Sequence, residues 1–304
     1  MELHRLGRAF SPTGDQPWAK SHASTPFAAE APDGRVEVTY SSRDALNRSH
    51  ICSLMLERHG KTFRPSGEPR LLLSPGAPGT FDEHGLSVGS VMELDQTTYL
   101  YYVGWSLRTE VPWQNTIGLA VRAAGEESFH KVPGNPVLDT SPTDPYSLSY
   151  PWVRMVEGQL VMFYGTNLSW GRTPVDMEHA IRRAVSTDGI HWERDTSLSV
   201  DVRRPDEYAL ARPGVWTRGS TSYMLLSSRT RSCPESYSLA LARSDDGVTW
   251  KRVDRLLVQG APSGPWDAEM TCYAAPFKFG DDLFVVYCGN GFGKTGFGLA
   301  TITE

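Results

Sequence analysis

Four acids recur along this chain at a nearly constant spacing: Asp82, Asp144, Glu207 and Glu269. Lys20 stands where a fifth would fall, and His22 and His84 each come two places after Lys20 and Asp82. If these groups converge, closely held like charges raise some carboxyl pKa values, as a general acid near neutral pH requires. Displacement at a glycosidic carbon needs two carboxyl groups, roughly 6.5–9.5 Å apart for inversion or about 5 Å apart for retention. Asp82 and Glu269 are the preferred pair, with Glu207 as a further acid. His22 is the alternative base, because imidazole titrates near neutrality. In Trp266-Asp267-Ala268-Glu269 the indole of Trp266 would desolvate the Glu269 carboxyl and stack on a ligand ring.

A second set is suited to holding the ligand. It comprises Trp18, Arg43, His84, Trp105, Asp144, Tyr146, Arg212, Trp266 and Asp267, with Asn167, Thr230, Asn290, Asp44 and Arg229 alongside. Aromatic faces stack on C–H groups while amides, guanidinium groups and carboxylates bind hydroxyls, a combination fitted to a polyhydroxylated ring. The sequence demands no cofactor. His22, His84 and two carboxylates would nonetheless suit a divalent cation such as Zn, Mn or Fe on the axis. Blander readings stand beside these. Arg212, directly before Pro213, serves as well in an inter-blade ion pair, and a lone His is more often a hydrogen-bonded core residue. The Gly-rich stretch 289–296 lies between two strands rather than before a helix, which favours a hairpin over a phosphate loop.

Positioning the acids requires a repeated element, and the sequence supplies one. Tyr40, Tyr102, Tyr164, Ser227 and Tyr287 sit in strand-like apolar segments separated by 62, 62, 63 and 60 residues. About fourteen residues upstream lies another apolar segment with Pro near its middle, at Pro26, Pro151, Pro213 and Pro276, with Val88 in the second repeat. Counting back six or seven residues from these landmarks gives the acids. An alternating segment follows each Tyr landmark. Ser186-Thr187-Asp188-Gly189 and Ser244-Asp245-Asp246-Gly247 then mark tight turns into a fourth strand, each with a Trp that packs between repeats. The expected fold is all-β: a five-bladed propeller of four-stranded antiparallel blades, one domain over residues 1–304.

Composition agrees and narrows the partners. The chain has 304 residues, 39% of them apolar, with nine Trp and twelve Tyr, ample for one β core with aromatic wedges. A net charge of −5, mixed along the chain, offers no basic stripe for nucleic acid. No segment has transmembrane length and the N-terminus has no signal-like apolar run, so no membrane partner is expected. Four Cys without framework spacing suit free thiols and a cytoplasmic location. A small sugar or sugar-derived substrate is the expected partner.

The five-blade pattern with axial acids resembles the furanosidase-type propellers of glycoside hydrolase families 32, 43, 62, 68 and 117. Trp18-Ala19-Lys20-Ser21-His22-Ala23, Phe81-Asp82-Glu83-His84-Gly85, Tyr99–Trp105, Trp266–Met270 and Gly289–Gly298 are similar to a bacterial family 43-like group, often encoded with surface-glycan or secondary-metabolite genes. The resemblance covers nearly the whole chain. It implies a blade I Asp as base, a blade II Asp that orients and tunes, and a blade III Glu as acid. Asp82 matches the blade II residue, but blade I offers Lys20, Ser21 and His22, and blade III offers Asp144. The inherited triad is therefore incomplete. The resemblance implies a carbohydrate-active enzyme working on a small glycoside or biosynthetic intermediate. A non-catalytic glycan or nucleotide-sugar binding propeller, or cyclisation, elimination or transfer on the same scaffold, remains the alternative.

Overall fold

The computed structural model describes residues 1–202, 205–253, 256–259 and 264–303. Its strands form five antiparallel blades. Blade I is built from Ser21–Glu30, Val36–Arg43 and Ser49–His59, with Thr62–Pro65 and Arg70–Leu73 on its outer edge. Blade II runs through Gly85–Leu94, Thr97–Leu107, Trp113–Ala123 and His130–Lys131. Blade III follows with Leu148–Val156, Gln159–Asn167, His179–Ser186 and Glu193–Val200. Blade IV has Glu207–Arg218, Thr221–Thr230, Cys233–Ser244 and Lys251–Val253. In blade V, Cys272–Phe279, Asp282–Cys288 and Phe297–Thr303 are completed by Glu2–Phe10.

That last strand is missing from the repeat pattern. The fourth strand of blade V comes from the N-terminus and pairs with the C-terminal strand, so the two ends of the described chain close the ring together. Closure protects edges that would otherwise offer unpaired backbone groups. Wedges between blades follow the expected turns: Trp192 packs edge-on to Tyr101 of blade II, and Trp250 to Phe163 of blade III. The turns themselves repeat, with Asp188 and Asp246 each accepting two backbone N–H groups. Tyr40, Tyr102, Tyr164, Ser227 and Tyr287 all lie on second strands.

Each innermost strand is interrupted where it reaches the axis. Register breaks fall between Ser24 and Phe27, Val88 and Ser90, Ser149 and Trp152, Ala211 and Gly214, and Cys272 and Ala275. At four of them a residue other than Gly takes positive φ: Thr25, Tyr150, Arg212 and Tyr273. Such bulges re-aim side chains, and they cluster where a fold builds a site. The Pro landmarks directly follow three of these residues. In blade V the matching position is Ala274, and Pro276 lies two places beyond it. That offset moves the blade V acid from Glu269 to Asp267.

Candidate functional site

The acids do not meet on the axis; each is drawn into its own blade. Asp82, Asp144, Glu207 and Asp267 are all buried. Tyr102 donates to Asp82 at 3.1 Å, Tyr164 to Asp144 at 2.8 Å and Tyr287 to Asp267 at 2.8 Å. A cation from the outer part of the same blade neutralises each acid. Lys131 Nζ lies 2.6 Å from Asp82, Arg182 Nε 2.8 Å from Asp144, and Arg5 Nε 3.1 Å from Asp267. Blade IV has Ser227 in place of Tyr, and there the acid is the longer Glu207, which takes Ser228 Oγ and a two-pronged contact from Arg252 at 3.0 and 3.1 Å. Paired and buried in this way, the acids are clamps between strands. Four carboxyls lining one axial pocket is the expectation that this geometry corrects. Glu269 is exposed on a separate surface depression, so Asp82 and Glu269 do not face one another across the axis.

The axis instead carries a cavity of about 350 Å³ to which all five blades contribute. Arg43 enters from blade I, Trp105 and Trp113 from blade II, Tyr150 and Asn167 from blade III, Arg229 and Tyr237 from blade IV, and Tyr273 and Phe292 from blade V. The bulges at Tyr150 and Tyr273 aim both rings at the centre, where Tyr150 donates to the Tyr273 hydroxyl at 3.0 Å. Burial raises the pKa of Tyr150, Tyr237 and Tyr273, so all three are neutral phenols. Trp105 is braced by its N–H bond to Ser49 at 2.9 Å, and a Cβ at Gly85 would collide with its indole. No carboxylate is among the described residues lining the cavity.

Its electrostatics are cationic. Arg229 lies over Tyr237 and Phe292, 4.2 and 5.0 Å from their ring centroids. Arg43 donates to Asn47 at 2.9 Å. Burial, reinforced by Arg229, lowers His179 to about 3. Burial, with Arg43 and Lys294 nearby, lowers His22 to about 4. Both rings are neutral at physiological pH.

Arg212 sits deeper on the axis, fully buried. It donates to the carbonyls of Val88, Thr25 and Pro26, which belong to the first strands of blades II and I. Its axial role is therefore to tie blades together through carbonyls rather than an acid. A divalent cation does not fit the residues proposed for one. His22 Nδ1 is 2.8 Å from Ser21 Oγ, His84 Nδ1 accepts from Leu107 N–H at 3.3 Å, and Asp82 is committed to Lys131. Among the described residues, no three His, Cys, Asp or Glu side chains form a metal-binding group.

The remaining sequence candidates scatter. Arg43 and Trp105 line the cavity, and His22 stands beside Arg43. His84 packs near Trp105 with ring centroids 6.1 Å apart. Trp18 packs on the core, Tyr146 is exposed, and Trp266 is buried against Tyr287. Tyr150, Tyr237, Tyr273, Phe292, His179, Trp113 and Trp170 also line the cavity and lie outside the repeat positions that mark the acids and the rim. One signal for the first of these was available. Thr25, Tyr150 and Arg212 each directly precede a landmark Pro, the place where an innermost strand breaks.

The five-bladed fold is similar to that of solved glycoside hydrolases. A solved glycoside hydrolase superposes with a TM-score of 0.73 at 17% identity, covering 99% of this chain and 91% of that one. An alpha-L-arabinofuranosidase from Lactobacillus brevis gives 0.69 at 11% identity, covering 95% and 92%. A thermostable family-43 glycoside hydrolase gives 0.66 at 16%, covering 92% and 88%. No family model matches the sequence. The chain belongs to the family of Uncharacterized protein Rv1502 of Mycobacterium tuberculosis (strain ATCC 25618 / H37Rv), being 38% identical over 306 residues that cover 99% of both chains.

Proposed function

We propose that the protein takes a sugar or sugar-derived small molecule into the axial cavity between Arg43, Trp105, Tyr150 and Arg229. The cavity lining carries this reading: aromatic faces for stacking alternate with amide and hydroxyl groups from all five blades. The glycosidase-like fold adds to it, since its solved relatives include an arabinofuranosidase.

Hydrolysis by a carboxylate pair is the less favoured chemistry. That mechanism needs two carboxyl groups facing the scissile bond, and the described lining has none. Recognition alone, or elimination, cyclisation or transfer assisted by neutral His179 or His22, suits the lining better. Calorimetric titration with free sugars, sugar phosphates, hexuronates and nucleotide sugars, run beside product analysis, tests the reading. Saturable binding that weakens at least tenfold in Trp105→Ala supports it. Binding unaffected by both Trp105→Ala and Tyr150→Ala overturns it. Binding without product assigns recognition, whereas glycoside hydrolysis abolished by Asp82→Asn in a folded protein restores the carboxylate mechanism.

A further inference from the structure

We infer that the cavity's ligand carries an oxyanion, a phosphate monoester before a carboxylate, held between Arg43 and Arg229. This rests on the axial cavity being the ligand site. Both guanidinium groups line that cavity, and among the described residues neither has a carboxylate within ion-pair distance. The contrast with the rest of the molecule is informative: Arg5, Arg182 and Arg252, all largely buried, each face an acid. Desolvated cations are expensive unless paired and hydrogen-bonded. Here that partner is left for the ligand to supply.

The polar groups around the two cations are arranged to donate. Arg229 Nε is buried without a hydrogen-bond partner among the described residues, while its guanidinium lies over the Tyr237 and Phe292 rings. Tyr150 and Tyr273 line the same cavity as both arginines. Arg212, bonded to three carbonyls and to no acid among the described residues, adds further positive charge deeper on the axis. A carboxylate is satisfied by one guanidinium fork, whereas a phosphate monoester brings about −1.5 to −2 charge and three acceptor oxygens. Two forks match the second, with the Tyr273 hydroxyl, which accepts from Tyr150, as a further donor. Trp105, Trp113 and Trp170 line the cavity on the side of blades II and III, leaving the sugar ring an aromatic wall.

Calorimetry with hexose 6-phosphates, the matching free hexoses and the matching hexuronates tests this, using the wild-type chain, Arg43→Met, Arg229→Met and the surface control Lys61→Met. Arg43→Lys and Arg229→Lys preserve charge if a Met variant fails to fold. At least one hexose phosphate is expected to bind tenfold or more tightly than its free hexose. Each Met variant should lose tenfold or more of that affinity, the Lys variants less, and Lys61→Met none. Free hexoses binding as tightly as their phosphates, with the Trp105→Ala response intact, would overturn the oxyanion and leave the sugar site standing. Tighter binding of hexuronates replaces phosphate with carboxylate. If none of the three classes binds, the oxyanion reading falls, and the sugar site is then decided by the nucleotide sugars.

Discussion

Tyr164 and Asp144 stand twenty residues apart and meet in a hydrogen bond of 2.8 Å, buried at the end of blade III. The same offset joins Tyr102 to Asp82 and Tyr287 to Asp267. In blade I the offset from Tyr40 leads back to Lys20, and the buried Tyr40 hydroxyl has no partner among the described residues.

That difference makes a paired prediction. Hydrogen bonds to charged groups contribute about 1.5–3 kcal/mol, whereas deleting a polar atom that has no partner costs little. Tyr164→Phe should therefore lower stability by about 1.5–3 kcal/mol in chemical denaturation, and Tyr40→Phe by less than about 0.5 kcal/mol. Equal losses in the two variants would contradict the clamp.

Blade V offers a second contrast, between acids two residues apart. Asp267 is buried against Arg5, while Glu269 is exposed. Breaking a buried ion pair from one side typically costs about 3–5 kcal/mol, and surface changes stay within about 0.5 kcal/mol. Asp267→Asn should destabilise on the first scale and Glu269→Gln on the second. Urea midpoints for both variants decide it, and a silent Asp267→Asn would remove the structural role.

The period was legible because packing dictates it: the second strands hold their landmark at the same depth, Tyr in four blades and Ser227 in blade IV. The acids were legible as a set for the same reason, and their type suggested catalysis. Their partners were not legible, because Lys131, Arg182, Arg252 and Arg5 lie on third or fourth strands at unequal distances along the chain. Sequence spacing fixes which blade end a residue occupies but not whether a cation reaches it. Glu269 was misplaced because Pro276 imitates the bulge proline of the other blades. The cavity's tyrosines stayed hidden because a bulge inverts the period-2 alternation that tells inward from outward residues.

Arg212 should be irreplaceable even by lysine. Its planar fork reaches the carbonyls of Thr25, Pro26 and Val88 together, and burial lowers its pKa to about 10, still charged at neutral pH. A lysine ammonium is a point charge without that spread. Arg212→Lys and Arg212→Met should each cost about 3 kcal/mol or more. A midpoint for Arg212→Lys matching wild type would show that blades I and II do not depend on this tie.

The two lowered histidines set the acid side of stability. In the unfolded chain they take up protons near their ordinary pKa of about 6.5. In the folded chain His22 resists to about 4 and His179 to about 3, first because they are buried and then because Arg43, Lys294 and Arg229 repel a further charge. Below about 6.5 the unfolded state therefore binds more protons, so stability falls with falling pH and this contribution levels off only below the folded values. Carboxylate protonation adds its own loss toward pH 4, so the informative quantity is a difference between variants. His179→Gln and His22→Gln should each lose less stability than wild type between pH 7.5 and pH 5. His59→Gln, a change at an exposed site, should follow the wild-type curve. Denaturant midpoints at those pH values test this, and parallel curves for all four proteins would mean that neither His22 nor His179 is held neutral by the fold.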